Sequence, residues 1–432
     1  MDGHKPPAPS AKTFNCLKCG APIRLRGLLQ TTSVVCGACG AIIDISDDEN
    51  IRIINTFASK RKLEPAIPLG SRGRFRDGTF EVIGFMQRVI SVEGVEYRWR
   101  EYLLFNPFKG FRWLSEYNGH WSYIQTTLYR PYRRGDGNVN FKGTAFQHFQ
   151  TSRATVDYVV GEFYWQVQAS ETCLVMDYVA PPQILSMEQT DNEITWSLGE
   201  YIEPDEIRKA FKLTTGLPAR IGIGANQPSP TGSRKARVAR FAAAFIGLAF
   251  LIQLSSLVLS QNKLVYQNSF FYNTRDAEKS QVTDIFELSG RPTNVMVNTR
   301  ADVENNWLYV NMALINDDTG TAYDFGREIE YYSGRDSDGA WTEGSKSDEV
   351  ILPRIPAGRY YLRLEPEGTI PTSYSIRVYR DVPRWWPFFI TVGILLLMPA
   401  AVLWKDRKFE YERWSESDRL YLLQTLGIIP GE

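Results

Sequence analysis

Histidine and cysteine are scarce in this chain, and their absences fall in blocks. No histidine follows His148 and no cysteine follows Cys173, so the segment Gln261 to Pro383 has neither. That segment must fold without disulfides, and imidazole- or thiol-based hydrolysis is excluded there, which leaves carboxylate or Ser-Lys chemistry or plain binding. Net charge is absent too, because 49 basic residues balance 49 acidic ones, so no general affinity for polyanions is implied. Locally the balance breaks, since Gln261 to Pro383 holds 19 acidic and 13 basic residues, a net of −6. An apolar signal-peptide core is missing from Met1 to Lys12. Finally, two runs contain no charge at all, Phe241 to Ser260 and Trp385 to Trp404.

Each of these runs has about 20 residues, the length that crosses a hydrocarbon core of about 30 Å as a helix. Arg234, Lys235, Arg237 and Arg240 precede the first, and Lys405, Arg407 and Lys408 follow the second. By the positive-inside rule both basic flanks face the cytoplasm. Trp385, Trp386 and Trp404 bracket the second run as interfacial aromatics would, and Pro399 is expected to kink it. The first run is then an uncleaved signal anchor, and both termini lie on the cytoplasmic side. Ala239, Ala243 and Gly247 repeat every four residues and suit close helix packing, within the chain or in a homodimer. No ionisable group interrupts either run, which argues against a channel or transporter.

All five cysteines precede the first run, on the side where thiols stay reduced. Cys16, Cys19, Cys36 and Cys39 form two CxxC pairs, each followed by glycine, a spacing typical of four-thiolate zinc sites. A quartet of sulfurs leaves no open position, so the expected Zn²⁺ is structural and holds a ribbon at 14–45. Lys18, Arg24 and Arg26 are too few for a nucleic-acid surface, and a protein partner is expected instead. Arg52, Lys60, Arg61 and Lys62 read as a solvated linker within 46–65. Cys173 stands apart in an apolar stretch and reads as a buried thiol.

From Leu69 to Phe211 short alternating runs, among them Thr79 to Phe85, Glu101 to Phe105, Thr155 to Val160 and Cys173 to Val179, predict an antiparallel sheet domain at 66–215. Ten aromatics between Tyr97 and Tyr123 suit cross-strand packing. A faint echo links Trp113-Leu114-Ser115 and Trp121-Ser122 with Ile184-Leu185-Ser186 and Trp196-Ser197. Glu203 to Lys212 predicts a closing helix with Pro204 near its start. A linker at 216–238 then leads to spans at 239–260 and 384–404 and a tail at 405–432, with 1–13 a disordered N-terminus.

Leu69-Gly70-Ser71-Arg72-Gly73, Glu81-Val82-Ile83-Gly84, Trp99 to Phe105, Gly110 to Leu114, Asp177 to Pro182 and Trp196 to Tyr201 resemble a bacterial family known as domain of unknown function 4178. The resemblance implies a bacterial membrane-linked accessory protein, located at the inner membrane and encoded near envelope-maintenance or polyamine-synthesis genes, and carries no catalytic residues with it.

Between the spans, runs at Asn294 to Asn298, Trp307 to Leu314, Glu328 to Tyr332, Glu349 to Leu352, Arg359 to Leu364 and Ser373 to Tyr379 predict an external β-sandwich of six to eight strands at 261–383. Asp336-Ser337-Asp338-Gly339 resembles the opening of a calcium loop, and Trp307 and Trp341 are candidate sugar-stacking groups, with a polar turn and buried core as their plainer readings. The fold class expected is therefore a mainly β, multi-domain membrane protein. Its expected function is a non-enzymatic scaffold or sensor at the membrane, recruiting protein partners inside and binding an envelope component outside. The alternative is an enzyme or small-molecule-binding protein whose site in the inner β domain uses His120 or His148 with Glu101, Glu162 or Asp177.

Overall fold

Alternating apolar side chains build strands almost everywhere that the sequence places them, and these strands are longer than their apolar stretches. A computed structural model describes residues 12–27, 30–47, 50–57, 63–92, 94–135, 137–168, 170–191, 193–337 and 339–418. Most of the expected disordered N-terminus, Lys60, Arg61 and Lys62 of the basic linker, Asp338, and the tail from 419 lie outside the described residues. The chain divides into two units, 1–235 with 401–432, and 236–400.

The first unit begins with the strands β1 (Thr13–Asn15), β2 (Pro22–Arg24), β3 (Ser33–Val35), β4 (Ala41–Asp44) and β5 (Arg52–Thr56). The last of these corrects the expected linker, because Arg52–Thr56 pairs with β4. There follow β6 (Arg72–Phe75), β7 (Gly78–Val92), β8 (Val95–Asn106), β9 (Gly110–Tyr117), β10 (His120–Thr127), β11 (Tyr132–Arg133), β12 (Val139–Phe141), β13 (Thr144–Phe163), β14 (Thr172–Ala180), β15 (Gln183–Gln189), β16 (Ile194–Ile202) and the helix α1 (Pro204–Phe211). Neighbours run β7-β8-β9-β10-β16-β15-β14-β13, all antiparallel, and β13 returns to β7. The sheet therefore closes into an eight-stranded barrel, which leaves it no open edge.

β13 makes this closure by changing partners along its 20 residues. Its Gln147–Thr155 part pairs with β14, Thr155–Gly161 with β7, and Gly161–Phe163 with β3. Gly84 and Gly161 face each other where these ladders meet. A Cβ at Gly161, whose φ is +98°, would lie 2.3 Å from the Ile83 carbonyl oxygen, so only glycine lets the backbones approach.

The echo in the sequence falls on equivalent positions of the barrel. Trp113 pairs with Ile124 and Ser115 with Ser122 in the β9–β10 hairpin, as Ile184 pairs with Gly199 and Ser186 with Ser197 in β15–β16. Ile124 lies opposite Gly199 between the two hairpins. The correspondence extends outward, for Glu101 opposes Ser115 and Asp177 opposes Ser186, while Arg88 opposes Trp99 and Ser152 opposes Val175. β7–β10 and β13–β16 are thus matching meanders related by a local two-fold. Outside the barrel wall, Ile207 and Phe211 of α1 pack with Tyr102, Leu104 and Trp121, whereas Val139 and Phe141 pack with Tyr178 and Trp196.

Two long helices, α2 (Gly232–Leu259) and α3 (Trp386–Ser415), extend past the expected spans. α3 runs through Pro399 and takes up residues expected in the tail, because its last turns are tied down. The buried Arg413 donates to the carbonyls of Gly224, Ala225 and Gln227. The same bonds order part of the stretch expected as the linker 216–238. Both helices are long and apolar enough to cross a membrane, and little of their apolar stretches is covered.

In the second unit, β17 (Lys263–Tyr272), β18 (Gln281–Val282), β19 (Phe286–Leu288), β20 (Thr293–Ala301), β21 (Asn306–Asn316), β22 (Ala322–Asp336), β23 (Gly339–Ser345), β24 (Ser347–Ile355), β25 (Gly358–Gly368) and β26 (Thr372–Arg380) form two antiparallel sheets. Val295, Val297, Ile376 and Val378 from one sheet share a core with Leu308, Val310, Leu362 and Leu364 from the other. The two sheets thus pack face to face around one core.

Candidate functional site

The ribbon builds its site by repeating one turn. In the first knuckle Gly20 N–H donates to the Cys16 carbonyl and Cys16 N–H to Ala21, and in the second Gly40 and Cys36 repeat both bonds with Cys36 and Ala41. Gly20 and Gly40 take φ of +74° and +69°, as these turns demand. The Sγ atoms of Cys16 and Cys39 lie 3.7 Å apart and those of Cys19 and Cys36 3.8 Å, all four within 4.8 Å. A tetrahedral ion with bonds of about 2.3 Å to sulfur has edges of about 3.8 Å, so the quartet fits a metal ion. Burial pushes the Cys39 thiol up to about 12, whereas at Cys16 the N–H groups of Cys19 and Lys18 outweigh burial and bring it down to about 7.

The ribbon is fused to the barrel through one face of its strands, while the other face packs on the cysteine quartet. Val34 and Ile43 pack with Cys16 and Cys36, while the alternate residues Val35 and Ile42 pack with Met86 and Leu103. Glu162 on β13 completes the junction. Its buried carboxylate accepts from the Arg26 N–H at 2.8 Å, from the Gly27 N–H at 2.8 Å and from the Thr31 hydroxyl at 3.1 Å.

The expected pairing of histidine with carboxylate is not found. His120 is buried with Nδ1 3.1 Å from the Tyr201 hydroxyl and Nε2 3.2 Å from the Ile221 carbonyl, and burial lowers its pKa. His148 contacts the Thr151 hydroxyl at 2.8 Å. Glu162 serves the ribbon junction. Only Glu101 and Asp177 come together, and they do so inside the barrel.

Arg88 on β7 reaches Glu188 on β15 with two bonds of 2.8 and 3.2 Å. These strands are not neighbours, so the contact crosses the lumen. Glu101 accepts from Trp99 Nε1 at 2.7 Å and lies 3.5 Å from Arg88 Nε, and Asp177 accepts from the Ser186 hydroxyl. This charged layer sits between two apolar ones, Met86 and Leu103 on one side and Ile90, Val175 and Cys173 on the other. Burial pushes Asp177 up to about 6, raises Glu101, and pushes Cys173 up to about 11. Exposure is inverted relative to an ordinary barrel: Tyr102 and Trp121 on the outer wall are 0% exposed, while the Glu188 side chain in the lumen is 37% exposed. Arg88 and Glu188 escaped the sequence reading, although an arginine in phase with Met86 and Ile90 on a strand was a readable signal.

The remaining candidates are peripheral. Asp336 pairs with Gly339 across the tip of the β22–β23 hairpin, and among the described residues the cysteine quartet is the one group of three or more such side chains able to hold a metal. Trp341 is 43% exposed and lies over Gly334, and Trp307 is half-buried, so neither fills the sandwich core.

The family model described as domain of unknown function (DUF4178) matches residues 68–204. The match spans the barrel strands and supplies no activity. No curated protein matches the chain. Among solved structures, the infectious bursal disease virus Gt strain is 12% identical with a TM-score of 0.17, covering 82% of this chain and 67% of that one. The mosquito-larvicidal Cry4Aa toxin from Bacillus thuringiensis is 8% identical with a TM-score of 0.16, covering 73% and 54%. Likenesses this low carry no argument about fold or function.

Proposed function

We propose that the chain is a membrane-anchored scaffold or sensor of the bacterial inner membrane. In this reading α2 and α3 span the bilayer, the ribbon and barrel lie in the cytoplasm, and residues 261–383 lie outside. The observation that carries it is the pair of uncovered apolar helices whose basic flanks, Arg234 to Arg240 and Lys405 to Lys408, both adjoin the ribbon and barrel in sequence. Zn²⁺ is the metal that an all-sulfur tetrahedron favours, and it would be structural, with no position left open for substrate. The ribbon and barrel would recruit a protein partner. The histidine-free, cysteine-free sandwich, with two partly exposed tryptophans, suits binding of an envelope component. A homodimer through Ala239, Ala243 and Gly247 belongs to the same reading, supported by the open space within 4 Å of a Cβ built on Gly247.

Two measurements test this. In intact cells, a membrane-impermeant maleimide should label an Asp348→Cys variant and leave Asp205→Cys untouched until lysis; the reverse pattern overturns the topology. Crosslinking and affinity purification from native membranes should recover a partner that is lost when the four ribbon cysteines become serine. The same partners recovered from a chain lacking everything before Ser233 would argue against recruitment by the ribbon and barrel.

A further inference from the structure

We propose that a cavity beside the end of α2 binds a phosphate ester, with a lipid headgroup as its source. The cavity measures about 190 Å³ and is lined by Leu259, Gln261, Arg291, Thr293, Arg380 and Asp381. Leu259 is the last residue of α2 and Arg380 the last of β26, so the cavity follows directly on an apolar helix. The choice of a lipid rests on the proposed bilayer placement, which puts Leu259 at the level of the outer headgroups. Capture of the phosphate itself does not.

Arg380 carries the argument. The residue is 3% exposed, and among the described residues no carboxylate pairs with it. Its hydrogen bond runs from Nη2 to the Arg291 carbonyl. Nε and Nη1 have no acceptor among the described residues and are not sealed off, so they open into the cavity that Arg380 lines. A buried guanidinium with open donors and no counter-charge is costly until an anion completes it. Asp381 does not do so, because its Oδ2 accepts from the Gln261 N–H at 3.2 Å and lies 3.8 Å from Arg291. At that distance Arg291 is an ion pair without a hydrogen bond and keeps its own donors. Two guanidinium groups thus line the cavity with one carboxylate, in a segment whose net charge is −6. The exposed Lys263 lies opposite Arg380 on β17 and adds positive charge at the same strand end. Phosphate oxygens match such a set, because each guanidinium presents a fork of donors along with its charge.

The test uses the full chain in a phosphate-free maltoside detergent at fixed ionic strength. It is titrated with dioctanoyl phosphatidylglycerol, with glycerol 3-phosphate as a soluble phosphate ester, and with dioctanoylglycerol as a lipid lacking phosphate. Calorimetry, with native mass spectrometry to count bound lipid, should show saturable binding of phosphatidylglycerol and none of dioctanoylglycerol. Binding should weaken about 10- to 100-fold in Arg380→Gln and in Arg291→Gln. It should tighten about 3- to 10-fold in Asp381→Asn, which removes the competing charge, and stay unchanged in Arg335→Gln, on the β22–β23 hairpin. Glycerol 3-phosphate binding as tightly as the lipid would support the site and make a soluble ester its occupant. Absence of saturable binding by either phosphate overturns the proposal, and so does equal affinity across wild type, Arg291→Gln and Asp381→Asn. The Arg291 side chain is 70% exposed, so its variant keeps the test decisive if Arg380→Gln does not fold. Maleimide labelling reads the topology separately, and its failure would remove the lipid source while leaving the phosphate site.

Discussion

Lys235 at the head of α2 pairs with Asp406 in α3, across 171 residues of sequence. The same carboxylate accepts from the hydroxyls of Ser229 and Thr231, each at 2.8 Å. One acidic side chain thereby ties together the start of one long helix and the late turns of the other. Asp406→Ala leaves two hydroxyls and an ammonium without their acceptor and should cost about 1 to 3 kcal/mol. Lys235→Ala removes a 39% exposed partner and should cost roughly 0 to 1 kcal/mol. Thermal unfolding of both variants in detergent checks the order, and equal losses would show that the ion pair, rather than the hydroxyl bonds, dominates.

Glu162 should behave as a fastener and not as a catalyst. Glu162→Gln keeps the shape but turns an acceptor into a group that meets two backbone N–H donors with one oxygen. A loss of about 2 to 4 kcal/mol is expected, with faster hydrogen exchange at Arg26 and Gly27. Unchanged exchange there would mean that the ribbon is held by the β3–β13 pairing and by Val35 and Ile42.

Metal removal should loosen the barrel as well as the ribbon. β3 pairs with Gly161–Phe163 of β13, and Val35 and Ile42 belong to the barrel's apolar layer. A chelator, or Cys19→Ser, should therefore lower the melting temperature of the barrel and speed exchange at Gly161, Glu162 and Phe163. If only residues before Thr56 respond, the ribbon folds independently of the barrel.

Stability should carry a signature of Asp177. Its folded pKa, near 6, exceeds the usual value of 3.8. The folded state then holds a proton that the unfolded state has lost, so this contribution is present below pH 4 and is lost as pH rises to about 6. The difference in unfolding free energy between wild type and Asp177→Asn should fall by about 1 to 3 kcal/mol across that interval and stay flat above it. Denaturant unfolding at pH 4, 5, 6 and 7 measures this, and a difference that rises with pH contradicts it.

The sequence by itself determined what depends on short spacing and composition. The CxxC pairs bring their sulfurs together because each pair needs only one local turn, and the apolar runs declare themselves through the charge they lack. Strand positions were legible for the same reason, since alternation is a local property, even though Thr155 to Val160 understated a strand reaching from Thr144 to Phe163. Tertiary structure alone decided that the sheet closes, which way each strand faces, and hence that Arg88 meets Glu188, 100 residues away, inside the barrel. It also assigned Glu162 to the ribbon and kept both histidines away from Glu101 and Asp177. Register explains the division: a one-residue slip turns every side chain to the other face, and register is set by pairings between strands that lie far apart in the chain.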